Sequence, residues 1–413
     1  MRDRGLQSSV SARGRSLLGE ARPSARARIL VAITTLLCAC AVAARAQEVV
    51  STLGNEQVVA ANGHDPSVAV DARGRGVVAW TEGATATTPV SIRARRFTGE
   101  TLGASFQVGT PEAAIAPADP RVALNGLGGF VVVWSEREVH GQVYRGDGRP
   151  RGGELVLSQR NVGAFHPEVA AAADGRFAVA WEQSTPDPMR AVRLATFTDR
   201  GGRLGRPLVM SAIGTMANLV GAVSASPASV AVGWTEFTPC PSNPIDPVSA
   251  VATFDWALRP LRTVDRLAND NPCVDGPQVL AMPNSDLGPL GIFVGRRYSI
   301  QRFSRTDGTR VGPRTNIAEL PPCSSTCERA VAVAGDPRGR FVFIWERFEN
   351  GVYNLYGELY GREGQKRTAL FPISSLGSAD SERPSAAFTS DGTLVVAWHR
   401  AGEGVLMRRF GLQ

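Results

Sequence analysis

Gly76-Val-Val-Ala-Trp80, Phe130-Val-Val-Val-Trp134, Phe177-Ala-Val-Ala-Trp181, Val230-Ala-Val-Gly-Trp234, Phe341-Val-Phe-Ile-Trp345 and Leu394-Val-Val-Ala-Trp398 are one element written six times. Successive tryptophans stand 54, 47, 53, 111 and 53 residues apart, and the long interval is about twice the others. Its missing member is Leu290-Gly-Ile-Phe-Val294, with Val294 in the tryptophan's place, so the pattern predicts seven copies of one unit. A period of about 50 residues belongs to repeat architectures, in which each copy is one supersecondary unit.

Each copy reads as four short strands. The first is small and apolar, as in Ser67-Val-Ala-Val70, Arg121-Val-Ala-Leu124 and Glu168-Val-Ala-Ala171. A Gly-containing turn follows (Asp71-Ala-Arg-Gly74, Asp174-Gly175, Asp336-Pro-Arg-Gly339, Asp391-Gly392), and then the tryptophan strand. The third strand ends on an aromatic, as in Ile92 to Phe97, Val139 to Tyr144, Leu194 to Phe197, Ile300 to Phe303, Leu355 to Tyr360 and Leu406 to Phe410. A second turn leads to a short fourth strand such as Phe106-Gln-Val-Gly109. Period-2 strands with turn signals between them, four to a repeat, predict an all-β fold, a seven-bladed β-propeller with four-stranded blades. Small first strands suit a crowded axis, and the apolar tryptophan strands suit burial between blades. The seventh copy, from Ala379 to Gln413, stops after its third strand, while Glu56-Gln-Val-Val-Ala60 resembles the fourth strand Phe106-Gln-Val-Gly109. The N-terminal strand is therefore expected to complete the last blade and close the ring, removing open edges.

The D-G-x-F-V-V-V-W strand followed by an A-x-R-F strand and a Gly turn resembles a group of repeat proteins secreted by bacteria with large, high-GC genomes. The resemblance runs over residues 48–413 and implies a seven-bladed propeller, most of its members having no assigned activity. This chain departs from the pattern in copy five, which lacks its tryptophan. It departs again in copy four, with the Pro-rich insert Phe237-Thr-Pro-Cys-Pro-Ser-Asn-Pro-Ile-Asp-Pro247.

The 413 residues are 43% hydrophobic and 20% charged, a globular composition. The formal charge of +7 comes mostly from residues 1–46, where eight Arg face only Asp3 and Glu20. The rest holds 37 basic and 36 acidic residues, which argues against nucleic-acid binding. In residues 1–46 a basic tract ending Arg26-Ala27-Arg28 precedes the apolar run Ile29 to Ala44, and Ala44-Arg45-Ala46 offers an A-x-A cleavage site. That order predicts a secretory signal peptide, with residues 47–413 as one propeller domain, secreted or periplasmic and without a transmembrane segment. The alternative is a lipid anchor at Cys40, because Leu37-Cys38-Ala39-Cys40 resembles a lipobox. Cys240, Cys273, Cys323 and Cys327 remain after cleavage, an even number for an oxidising compartment. Cys240–Cys273 and Cys323–Cys327 are the expected bridges, although four cysteines allow three pairings.

No G-x-S-x-G elbow, H-E-x-x-H helix, Walker loop or calcium loop occurs in the sequence, nor the S-x-D-x-G-x-T-W box of sialidase-type propellers. Arg145-Gly146-Asp147 reads as an Asp-Gly type of turn rather than an adhesion signal. One constellation stands out ahead of the first strands. Asp65-Pro66, Asp119-Pro120, His166-Pro167 and Arg383-Pro384 hold equivalent positions, with Glu328 the counterpart in copy six. In a propeller they lie around one mouth of the axial channel. His64, Asp65, Asp119 and His166 are thus a candidate ligand rim for a cation or a sugar hydroxyl, and the plainer reading is that such pairs end loops and aim strands. His140 and His399 read as solvated or packed surface residues, and Trp256 as an exposed contact outside the repeat. With no catalytic motif, the expectation is a monomeric, non-catalytic binding propeller, without cofactor, whose partner is an unknown protein or glycan. The alternative is a glycan-active hydrolase or lyase working at the same mouth.

Overall fold

Apolar runs of six to nine residues, cut by Asp, Asn and Gly turns, pair here as antiparallel strands; among the described residues there is no α-helix. The computed structural model describes residues 48–83, 89–109, 116–185, 190–210, 217–238, 246–261, 265–267, 291–293, 297–303, 309–319, 329–377 and 379–412. All six cysteines, Glu328 and the whole N-terminal segment 1–47 lie outside them.

Seven antiparallel sheets are present among the described residues, six four-stranded and one three-stranded. Sheet one runs Gly63–Val70, Arg75–Glu82, Ser91–Thr98, Thr101–Val108, and sheet two Ala118–Leu124, Phe130–Ser135, Val139–Tyr144, Leu155–Val156. Sheet three is Ala164–Ala171, Phe177–Ser184, Arg190–Phe197, Leu208–Val209, and sheet four Ala217–Ala225, Val230–Thr238, Asp246–Phe254, Asp265–Leu267. Sheet five holds Gly291–Phe293, Arg297–Phe303 and Arg310–Glu319, and sheet six Arg329–Gly335, Phe341–Glu349, Val352–Tyr360, Phe371–Pro372. Sheet seven joins Ser381–Phe388, Thr393–Arg400 and Gly404–Leu412 to the N-terminal strand Val50–Ala60, whose Val50 faces Leu412 and whose Ala60 faces Val405. The architecture is all-β and propeller-type. The first strands of sheets four, three, two, one, seven and six neighbour one another in that order.

The sheets pack through their faces, and the tryptophans show how. Trp80, Trp134, Trp181, Trp234 and Trp398 are all at most 2% exposed. Each sits in an apolar cluster shared with the preceding sheet, Trp134 with Ile92 and Val108 of sheet one, Trp181 with Val131 and Val133 of sheet two. The indole N–H is a donor that burial would strand, and for Trp80, Trp181 and Trp234 the residue two positions on accepts it, whereas Trp398 Nε1 meets no acceptor among the described residues. Trp181 Nε1 donates to Gln183 Oε1 at 3.2 Å and Trp234 Nε1 to Glu236 Oε1 at 3.0 Å. At the far end of the same strand an aromatic stacks on its cross-strand partner: Phe130 on Tyr144 at 4.7 Å, Phe177 on Phe197 at 4.9 Å. Sheet one has Gly76 there, and a Cβ on Gly76 would come within 2.1 Å of the Phe97 ring, so the Phe97 ring fills the place of the absent side chain.

Hydrogen bonds also link the first strands laterally. Val68 N donates to Ser385 Oγ at 2.9 Å and Val122 N to Ser67 Oγ at 3.1 Å. Between sheets two and three an ion pair does this work, Arg121 Nε to Glu168 Oε1 at 2.7 Å. The side chains in these links, Ser67, Arg121, Glu168 and Ser385, all follow the X-Pro proline directly.

Two minor expectations need correction. Trp256 is not an exposed contact: it is 6% exposed, donates from Nε1 to Ser226 O at 2.9 Å, and carries the Arg176 guanidinium 4.4 Å above its ring. It staples sheet three to sheet four. His140 is 7% exposed, stacked on Trp134 at 5.7 Å and bonded to Glu154 Oε1 at 2.7 Å, so burial and neighbouring carboxylates set its behaviour.

Candidate functional site

Proline removes a ladder donor and displaces the residue before it, so an X-Pro pair inside a strand demands a break in register. Each candidate pair sits in such a break, between His64 and Ser67, Ala118 and Arg121, Phe165 and Glu168, and Glu382 and Ser385. The four residues before proline take left-handed backbone, with φ of 50° at Asp65, 51° at Asp119, 45° at His166 and 52° at Arg383. Non-glycine residues seldom adopt this conformation, it costs about 1–3 kcal/mol, and it clusters at functional sites. Pro66, Pro120, Pro167 and Pro384 are buried, while the four side chains ahead of them remain partly or fully accessible. In these four sheets the bulge thus turns one polar side chain out of the ladder at the equivalent position.

What they meet differs around the rim. Asp65 pairs with Arg383 of sheet seven, and its Oδ2 lies 2.8 Å from His64 Nδ1. Burial works against the charged carboxylate, but the hydrogen bonds from His64 and Arg383 and the Arg383 charge prevail and hold Asp65 down to about 2. The Asp119 Oδ2 atom lies 3.7 Å from His166 Nε2. The other ring nitrogen, His166 Nδ1, is 3.1 Å from Glu182 Oε1, and Arg190 Nη1 bonds Glu182 Oε2 at 2.8 Å. Arg190 in turn lies 4.7 Å above Phe165. The hydrogen bond to Glu182 raises the His166 pKa above its ordinary value; partial burial opposes it, the Glu182 and Asp119 charges reinforce it and Arg190 opposes it. Below the rim, a cavity of about 460 Å³ runs between the first strands, with Asp65, Asp119, Arg121, Glu168 and Arg383 in its wall above a lining of Val and Ala.

The structure therefore joins His64 to Asp65 and Asp119 to His166, and adds Arg383 from the same sequence position. Sequence reasoning did not single out Glu182, only 1% exposed, which orients His166, nor Glu346, also 1% exposed, whose Oε1 accepts the Arg383 backbone N–H at 3.1 Å. Both follow a tryptophan directly. The equivalent residues are Thr81, Ser135, Thr235 and His399, so the position after tryptophan is a second polar series. His399 belongs to it, facing Glu382 across the strands rather than lying on the outer surface, and burial lowers its pKa. Among the described residues no group of three or more His, Cys, Asp or Glu is placed to hold a metal ion, and no helix is long and apolar enough to cross a membrane.

The His166 shift has a consequence for stability. A histidine whose folded pKa is raised contributes stability that is fully present below its ordinary value of 6.5 and fades as pH rises through the higher folded value. The melting-temperature gap between wild type and His166→Gln is expected to be widest on the acid side and to close in alkaline buffer. Melts recorded across that range check it, and a gap independent of pH counts against the Glu182 contact.

No protein-family model matches the sequence, and no curated protein is similar to it by sequence. Solved structures are similar in fold. The polysaccharide lyase Uly1 superposes with a TM-score of 0.49 and 10% identity over 87% of this chain and 91% of its own. The α-L-arabinanase of Penicillium chrysogenum, complexed with arabinobiose, gives 0.48 and 10% over 89% and 98%. The β-propeller domain of the trilobed protease from Pyrococcus furiosus gives 0.47 and 8% over 84% and 94%. The expectation of a non-catalytic binder is corrected here. It rested on the want of a contiguous catalytic motif, and in this fold that is no ground for excluding catalysis. In a fold whose rim draws single side chains from four separate sheets, reactive groups are distant in sequence and leave no motif.

Proposed function

We propose that the chain is a glycan-active enzyme, a hydrolase or lyase, with its site at the mouth ringed by Asp65, Asp119, His166 and Arg383. The row Glu182–His166–Asp119 carries this reading. A buried carboxylate holds one imidazole nitrogen, and the other stands 3.7 Å from Asp119. That is the arrangement of a base and its orienting group. His166 Nε2 would exchange the proton at the bridging oxygen of a glycosidic bond, with Asp119 providing fixed negative charge beside it. Asp65, ionised down to about 2, and a proton-retaining His166 have pKa values pushed apart, the condition under which one site serves both acid and base roles.

The test is release of sugar from a panel of neutral and anionic polysaccharides. Wild type is expected to generate reducing ends, or an ultraviolet-absorbing unsaturated product if the step is an elimination. His166→Ala is expected to lower kcat/KM by about 10²–10⁴-fold. Undiminished turnover in His166→Ala, or none on any polysaccharide, overturns the reading.

Two structural proposals accompany it. The seven sheets form one seven-bladed ring closed by Val50–Ala60, a reading supported by its pairing with Gly404–Leu412. The chain is exported after cleavage near Ala46, a reading supported by the basic, apolar and small-residue order of residues 1–46.

A further inference from the structure

The second hairpin of sheet six closes with a two-residue turn. Its strands Phe341–Glu349 and Val352–Tyr360 run on in full register to the turn, while the outer strand Phe371–Pro372 pairs only with Tyr356 and Gly357. The tip is closed by Asn350 and Gly351 at φ of 53° and 86°, the two positive values that a type I′ turn needs, and bonds from Ile373 to Leu355 and from Tyr353 to Asp380 hold its base, so the tip is stiff. Near its end Phe348 faces Tyr353 across the strands, the rings T-shaped with centroids 5.0 Å apart. Phe348 is 38% exposed, and it is the one aromatic among the exposed large hydrophobics of the described residues.

Strand geometry fixes where this pair looks. Side chains two residues apart share a face, so Phe348 lies on the face of Glu346, about 7 Å further along. Glu346 accepts the Arg383 backbone N–H, and the Tyr353 backbone N–H donates to Asp380 Oδ1 at 2.8 Å, three residues ahead of Arg383. The aromatic pair therefore stands over the Arg383 sector of the rim. Around that rim sheet six and sheet three are separated by sheets seven, one and two, so the pair is well removed from His166.

We infer that the Phe348–Tyr353 tip is a sugar-stacking subsite, and that the substrate of the mouth is a glycan chain of several residues rather than a single terminal sugar. A rigid aromatic face beside a polar rim suits the C–H face of a pyranose, whose hydroxyls then reach Arg383 and Asp65. An isolated terminal sugar at His166 would not extend to sheet six. This inference rests on the proposed reaction at the same mouth.

The experiment has two arms. In the first, Phe348→Ala and Phe348→Trp are assayed on long and on disaccharide-sized forms of the polysaccharide that wild type cleaves. Loss of one stacking contact is expected to raise KM on the long form about two- to tenfold with kcat unchanged, leaving the short form unaffected, and Phe348→Trp is expected to restore the value. In the second arm, affinity electrophoresis runs wild type and Phe348→Ala through gels containing soluble xylan or alginate, which reads binding even where no turnover exists. Retardation of wild type but not of Phe348→Ala supports the subsite. Equal mobility and equal KM overturn it, and retardation of wild type without turnover keeps the subsite while removing the enzyme reading.

Discussion

Replacing Trp181 with alanine is expected to lower the unfolding free energy by about 3–5 kcal/mol. The indole is 1% exposed, in a cluster that draws Val131, Val133 and Val143 from sheet two and Phe177, Val179 and Phe197 from sheet three. Alanine there loses the transfer energy of a large aromatic and leaves a hole between two sheets whose backbones cannot collapse together, because each is held in its own hydrogen-bonded ladder. It also removes the Nε1 donor of Gln183, itself 3% exposed. Denaturant unfolding checks this through a lowered midpoint at unchanged slope. A shift within about 0.5 kcal/mol, the range of ordinary surface substitutions, would place the ring outside the core.

Removing residues 48–60 is expected to be at least as damaging. The deletion takes away Val50–Ala60 and leaves the long strand Gly404–Leu412 as a bare edge, an invitation to pair with another chain. It also takes one carboxylate away from each of two buried arginines. Arg400, 2% exposed, forms two bonds to Glu56, at 2.7 and 2.9 Å, and Arg340, 9% exposed, pairs with Glu48. Arg340 keeps Asp336 at 2.7 Å and Arg400 keeps Glu403 at 3.5 Å, so each loss costs less than the about 3–5 kcal/mol of a fully orphaned buried charge, and the loss of the strand adds to it. Calorimetry and size-exclusion chromatography read the result, with a fall in melting temperature and aggregation expected. Glu56→Gln, which keeps the strand and removes one charge, separates the two contributions. A deletion that melts like wild type would show the strand to be ornamental.

How far the sequence could be read depended on what repetition displays. The tryptophan period, the small first strands and the likeness of Glu56-Gln-Val to Phe106-Gln-Val are patterns along the chain, and the sheets and the partner of the N-terminal strand follow them. The rim was legible as four X-Pro pairs for the same reason. Glu182 and Glu346 were not, because four of the six residues after tryptophan are Thr, Ser or His and the position looks like ordinary strand alternation. Only the register shift opposite it, from Phe165 to Glu168 in sheet three, shows that the position opens on the mouth. The backbone of Asp65 and His166 was equally hidden, since a residue before proline is expected to be extended, and bulge geometry overrode that local preference. Phe348 was invisible as a contact because nothing in an Asn-Gly hairpin says where its tip leans.

The four left-handed X-Pro bulges also bear on how such a protein can change. A site on a flexible loop alters backbone and chemistry together, whereas here a buried proline and a lateral hydrogen bond fix the backbone at each sheet and only the residue ahead of proline varies. Asp, Asp, His and Arg already occupy what is one conformational socket. Aspartate and histidine are among the side chains that tolerate that backbone best, and arginine is not. Chemical identity at this mouth is thus modular: a single codon can swap an acid for a base or a cation without rebuilding the scaffold, and related chains could diverge in chemistry while their folds stay superimposable.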